Sequence, residues 1–224
     1  MGSRIDRLVG RLKKFYGALP APPSDPFALF VWQVLFNHST AKKRDAAVAA
    51  LKRLGALTPD GMRNAQQKAL ADCVHSAGPF GEYRLMALRK GVDVFRRDSD
   101  WPGVLTGPVP AALRRLKVLP RMSGDGPAYS MLLFAGGQAV LPVNARVARV
   151  ATRLGYGEMA GAFPKIAKSI RQAIAPELGD RVKAYRDAYI YFEHHGADTC
   201  TETDPECDGC PLRSDCPYGK SRQT

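Results

Sequence analysis

The chain has 224 residues, 45% of them hydrophobic and 24% charged, and 33 Lys and Arg against 21 Asp and Glu leave a formal charge of +12. That length holds one large domain or two small ones with a full core, and no apolar run reaches the length of a membrane span. The charge favours a polyanionic partner, nucleic acid being the commonest, although a merely basic enzyme accounts for it equally well.

Taken in order, Ile5 to Tyr16 places apolar residues at helical spacing with Arg and Lys between them, an amphipathic helix docked on the body. Leu19 to Asp25 is a Pro-rich connector. Asp25 caps the next helix and Pro26 opens it; Phe27 to Phe36 is apolar nearly all round and reads as a buried central helix. Thr40 can cap a helix from Ala41 to Leu54, and Thr58-Pro59 starts one that runs toward Val74. Ser76 to Gly81 is a turn, Tyr83 to Phe95 a helix carrying Arg84, Arg89 and Lys90, and Trp101 to Pro110 a Pro/Gly-rich loop before a short helix at Ala111–Leu116. Helical periods recur and no alternating strand is visible, so the expected class is all-α. Ala135-Gly136-Gly137 reads as a helix C-terminus.

Leu116 to Ala128 is a short helix, a tight turn containing Ser123, Gly124 and Gly126, and a second helix opened by Pro127. This helix-hairpin-helix pattern suits backbone N–H groups approaching a phosphate, and it also suits an ordinary αα-turn. Further on, Asn144 stands where a helix N-cap belongs.

Four of the five cysteines, Cys200, Cys207, Cys210 and Cys216, form a C-x6-C-x2-C-x5-C array on a Pro/Gly-bearing loop. Only Cys207 and Cys210 make a short pair of the kind a structural zinc uses twice. Four separated sulfurs suit a [4Fe–4S] cubane first, zinc second and disulfides last. Nothing resembling a secretory signal precedes the chain, so a cytoplasmic location with reduced thiols is expected.

The array, with the preceding Phe192-Glu-His-His-Gly196-Ala-Asp-Thr-Cys200, resembles the C-terminal end of the endonuclease III branch of the helix-hairpin-helix DNA glycosylases, and the resemblance covers nearly the whole chain. It implies two α-helical lobes, residues 24–141 with the hairpin at about 115–135, and residues 1–23 plus 142–224 with the cluster. It further implies a monomer with a DNA-facing cleft that flips a damaged or mismatched base out of double-stranded DNA and hydrolyses its N-glycosidic bond.

Several posts depart from the family's pattern. The position of the strand-cleaving lysine after the hairpin glycines is matched by Asp125 or Gly126, depending on where the one extra residue suggested by the spacing to Asn144 sits. A Schiff base by the family route is therefore excluded, which implies a monofunctional enzyme. In Val143-Asn144-Ala145-Arg146-Val147, Asn144 occupies the position of the family's catalytic aspartate, and an amide cannot neutralise an oxocarbenium-like state. Gln33 matches a glutamate of adenine-removing relatives, His38 a glutamine that fills the gap left by an extruded base, and Asp187, with Glu193 nearby, an acid of the endonuclease III pattern. Residues between Cys200 and Cys207 are acidic where the family's are basic, so the DNA-facing charge is expected from Lys42, Lys43 and Arg44 or from Arg84, Arg89 and Lys90. These features point to a glycosylase inactive or slowed at Asn144. The alternatives are a non-catalytic damage-binding protein on the same scaffold and a redox-responsive cluster protein for which DNA is incidental.

Overall fold

The computed structural model describes residues 2–36, 38–98 and 100–222, and among them every regular element is helical. The chain divides into two compact units, Met1–Ala21 with Gln138–Thr224, and Pro22–Gly137.

The first unit contains α1 (Arg4–Tyr16), which the chain leaves for the second unit before returning. The second unit is built on α2 (Pro26–Phe36), buried from Phe27 to Leu35 because no face of it is polar. Asp25 Oδ1 accepts the Ala28 N–H at 2.8 Å to open it. Against α2 pack α3 (Ala41–Arg53), capped by the Thr40 hydroxyl, and α6 (Gly81–Arg97), reached through α4 (Pro59–Asn64) and α5 (Gln67–His75). One helix from Thr58 to Val74 was expected. The chain instead turns extended at Ala65 and Gln66, after a stretch weakened by Gly61 and Asn64.

The expected loop from Trp101 is likewise helical, as α7 (Trp101–Thr106) and α8 (Val109–Leu116). Pro102 and Pro110 sit in the first turns of these helices, where the missing N–H is no loss, and Asp100 Oδ1 accepts the Gly103 N–H. Buried Trp101 fixes α7 to the body.

The hairpin's second helix, α9 (Asp125–Ser130), passes into a π turn at Met131–Ala135, closed by Gly136 N–H donating to the Met131 carbonyl at 3.0 Å. A π turn takes one residue more than an α turn. At Gly136 a Cβ would lie 2.3 Å from the Leu105 carbonyl oxygen and 2.8 Å from that of Leu132, both backbone atoms that cannot swing aside. Gly136→Ala should therefore destabilise the protein by about 2–3 kcal/mol, read as a lower urea midpoint at unchanged slope.

In the first unit α10 (Ala145–Arg153) and α12 (Val182–Asp198) form the central pair, flanked by α1 and α11 (Phe163–Leu178), with α13 (Pro217–Ser221) at the chain's end. Gly196 allows the close approach of α12 to α10, since a Cβ there would meet Arg146 Cβ at 2.9 Å and its carbonyl oxygen at 3.0 Å.

Candidate functional site

Asn144 caps α10. Its backbone is extended (φ −103°, ψ 178°) and its Oδ1 accepts the Val147 N–H at 2.9 Å, while its own carbonyl accepts Ala148 N–H at 2.8 Å. The preceding Leu141 and Val143 are buried, so the half-buried amide is held on rigid backbone at a helix N-terminus. The two candidate acids on α12 are engaged. Asp187 Oδ2 accepts from Lys13 Nζ at 2.7 Å and Lys183 Nζ at 2.8 Å, tying α1 to α12. Burial pushes the Asp187 carboxyl up, but the two lysines outweigh it and hold it below the usual carboxylate range. Glu193 accepts from Arg146 Nη1 at 2.5 Å.

In the second unit an open concavity of about 290 Å³ is lined by His38, Phe80, Tyr83, Arg84 and Arg121. Three described non-glycine residues have left-handed backbone, His38 (φ 54°), Phe80 (φ 66°) and Arg121 (φ 67°), and all three line it. Bulky side chains in that conformation are strained, and such strain gathers at binding and catalytic sites. Phe80 is 55% and Tyr83 62% exposed; the His38 and Phe80 rings lie 5.1 Å apart and those of Phe80 and Tyr83 6.5 Å apart.

Arg84 is buried and does not reach out as a surface cation. Its Nη1 donates to the Gly78 carbonyl at 2.9 Å and the Pro79 carbonyl at 2.6 Å, holding the loop that presents Phe80. Arg44 is also inside, 4.0 Å over the Trp32 ring and bonded to Asp45 at 2.8 Å. Lys42, Lys43, Arg89 and Lys90 remain exposed. Gln33 is buried on α2, and its Nε2 has no hydrogen-bond partner among the described residues.

At the hairpin, Ser123 and Gly124 are exposed, Asp125 is half-buried and Gly126 is buried within α9. The left-handed residue of the turn is Arg121. Gly124 is extended (φ −94°), and a Cβ on it would make only an ordinary 3.5 Å contact with Pro127.

The four cysteines line one cavity together with His195, Arg153 and Leu212. No three described His, Cys, Asp or Glu side chains are arranged to hold a single metal ion. Four thiols around a shared space are a donor set suited to a soft metal group. Donors already point at them. Arg153 Nη1 donates to Cys200 Sγ at 3.2 Å, Leu212 N–H to Cys210 Sγ at 3.4 Å and Gly219 N–H to Cys216 Sγ at 3.3 Å. Burial pushes the Cys210 and Cys216 thiols up.

Arg149 and Arg153, one turn apart on α10, hold the loop itself. Arg149 donates to the carbonyls of Cys200 and Gly196 at 2.8 and 2.6 Å, and Arg153 to those of Thr201 and Glu202 at 2.7 and 3.2 Å. Buried His195 places Nε2 3.6 Å from Cys210 Sγ and Nδ1 2.8 Å from the Tyr16 hydroxyl, and burial pushes its pKa down to about 4. Sequence reasoning did not single out Phe80, Arg121, Arg149 or His195. A Phe between Pro79 and Gly81 in a turn was the available signal; nothing in the sequence links Arg149 and Arg153 to the distant cysteine loop.

Solved structures share this architecture along its length. A trapped endonuclease III–DNA covalent intermediate matches at a TM-score of 0.73 and 21% identity, over 98% of this chain and 97% of that one. A thermostable thymine-DNA glycosylase matches at 0.69 and 17%, over 97% of each chain. The fold is that of the helix-hairpin-helix glycosylases. No family model matches the chain. Endonuclease III of Sulfolobus acidocaldarius is 25% identical over 193 residues, 86% of this chain and 82% of the relative. In fold and in this relative, the chain is similar to the endonuclease III-like branch of the helix-hairpin-helix superfamily.

Proposed function

We propose that the chain is a monofunctional DNA glycosylase of base-excision repair, slowed at its chemical step by Asn144, and that Cys200, Cys207, Cys210 and Cys216 hold a [4Fe–4S] cluster. It acts as a monomer on duplex DNA in the cytoplasm. The observation that carries this reading is the placement of Asn144: on a scaffold matching endonuclease III from end to end, it caps α10 from rigid backbone, in a sequence context resembling that of the family's aspartate.

In glycosidic hydrolysis the C1′–N bond breaks with its electrons leaving on the base, positive charge develops at C1′, and water supplies the new C1′–O bond. The cap amide can orient water or the sugar, but it offers no charge to that carbon. With Asp125 or Gly126 at the lysine post, no amine attacks C1′, so the sugar is left abasic and the strand intact.

Phe80 and Tyr83 offer stacking faces and His38 a ring that donates and stacks, which suits the space vacated by a flipped base. Exposed Lys42, Lys43, Arg89 and Lys90 supply phosphate contacts, with backbone N–H groups at Ser123 and Gly124. Two substitutions separate these roles. Phe80→Ala should weaken binding of damaged duplex about tenfold, the loss of one stacking contact. Gly124→Val fits the fold and should weaken damaged and undamaged duplex alike, because phosphate contacts carry no sequence information. Fluorescence anisotropy at fixed salt reads both; unchanged affinity in both would remove these residues from the interface.

The same amide favours a second reading, recognition of damage without chemistry. Single-turnover base release by this chain and by Asn144→Asp, on duplexes bearing uracil, an oxidised pyrimidine or an alkylated purine, decides between them. Gain of release in the carboxylate form supports the enzyme, and none on any substrate supports the binding protein.

A further inference from the structure

The buried imidazole of His195 has no part in the chemistry above, yet it bridges the cysteine cavity and the N-terminal helix. It projects from the last turns of α12 and lines the cavity with the four thiols. Nε2 faces Cys210 Sγ at 3.6 Å. Nδ1 faces the hydroxyl of Tyr16, the last residue of α1, at 2.8 Å. The Tyr16 oxygen in turn lies 2.6 Å from Thr199 Oγ1, which is 3.0 Å from Asp198 Oδ2. A buried polar ring with partners on both nitrogens is held in one orientation. Tyr191 adds a further tie, its hydroxyl donating to the carbonyl of Gly17 at the end of α1 at 2.7 Å.

The direction of the hydrogen bonds follows from what sulfur can do. A cysteine that has given up its proton to bind iron can only accept. Nε2 must then carry the imidazole proton and Nδ1 must accept from Tyr16. Thr199 Oγ1, which donates to Asp198 Oδ2 at 3.0 Å, must in that arrangement turn its hydroxyl to donate to the Tyr16 oxygen at 2.6 Å.

We propose that His195 is a tuning residue of the cluster, donating Nε2–H to Cys210 Sγ, and that Tyr16 is the positioning residue that locks the imidazole tautomer making this donation possible. This rests on the cluster assigned above. An N–H dipole aimed at a ligand sulfur stabilises the more negative, reduced state and raises the reduction potential. The Arg153 and backbone N–H bonds act in the same sense on other sulfurs; the contact from His195 alone depends on a residue of α1.

The test uses full-length holoprotein prepared anaerobically. Iron content of the unsubstituted chain is measured first, since about four irons per chain supports the cluster independently of His195. A redox titration followed by electron paramagnetic resonance then compares it with His195→Leu, His195→Gln and Tyr16→Phe. His195→Leu should lower the potential enough to change the oxidised-to-reduced ratio about tenfold at fixed potential, 59 mV for one electron. Tyr16→Phe should move it in the same direction and less. His195→Gln, whose amide can still donate, should recover part of the shift. Full iron content with an unmoved potential in His195→Leu overturns the proposal. If that variant loads no iron, an unmoved potential in Tyr16→Phe overturns it.

Discussion

Asn144→Asp should raise single-turnover base release by a factor on the order of 100 or more, the size of one restored electrostatic contact to the transition state. The substitution is well suited to its site. Asp and Asn are about equally good N-caps, so a carboxylate oxygen can replace the Asn144 Oδ1 that accepts Val147 N–H, leaving a second oxygen for the reacting sugar. The positive end of α10 favours the ionised form, and no rearrangement of the buried Leu141–Val143 approach is required. Release should fall at low pH as this carboxylate takes up a proton. Asp187 cannot substitute for it without giving up Lys13 and Lys183, so rapid release by the unsubstituted chain, abolished by Asp187→Asn, would reverse the roles of the two residues.

Cys210→Ala should remove the cluster and cost local stability on the order of 5 kcal/mol or more, because binding of a metal group to a loop of this kind is much of the loop's folding energy. From Thr201 to Leu212 the backbone has no helix, and most of the residues between Cys200 and Cys210 are exposed. Arg149 and Arg153 hold its first residues through the carbonyls of Cys200, Thr201 and Glu202, and farther along it is tied by Glu206 N–H to the Thr199 carbonyl and by Arg213 to Asp208. The measurement is rapid proteolytic cleavage between Cys200 and Cys216 in the variant, with the rest of the chain resistant. One zinc per chain and no iron in the unsubstituted, anaerobically prepared protein would contradict the cluster; a protease-resistant loop in Cys210→Ala would contradict its structural role.

What was legible in the sequence follows from how local each cause is. The α10 cap could be read because Asn before a helical period acts on an N–H three residues away. α2 was equally plain, since an all-round apolar helix has only the core to occupy. The break between α4 and α5 has no Pro or Gly at Ala65–Gln66 to announce it, and Pro102 and Pro110 looked like breakers while serving as first-turn residues. The π turn differs from an α turn by one step in hydrogen-bond offset, which no composition marks.

At the sites, residue type was readable but orientation was not. Arg84 reads as a surface cation on a basic helix, and only the fold of the 78–79 turn draws it inside. His194 and His195 are adjacent and chemically identical in the sequence; both rings pack near Tyr16, and it is the helix phase bringing His195 to the Tyr16 hydroxyl and Cys210 sulfur that buries it.

The most direct test of the glycosylase assignment is an abasic-site assay of the Asn144→Asp form on the three damaged duplexes, scored with and without alkali. On at least one substrate alkali-labile sites should accumulate in the carboxylate form, far faster than with Asn144, while the strand stays whole until alkali is added. Contradiction would be either of two results: no abasic sites on any duplex from either form, or strand cleavage without alkali at the rate of base release.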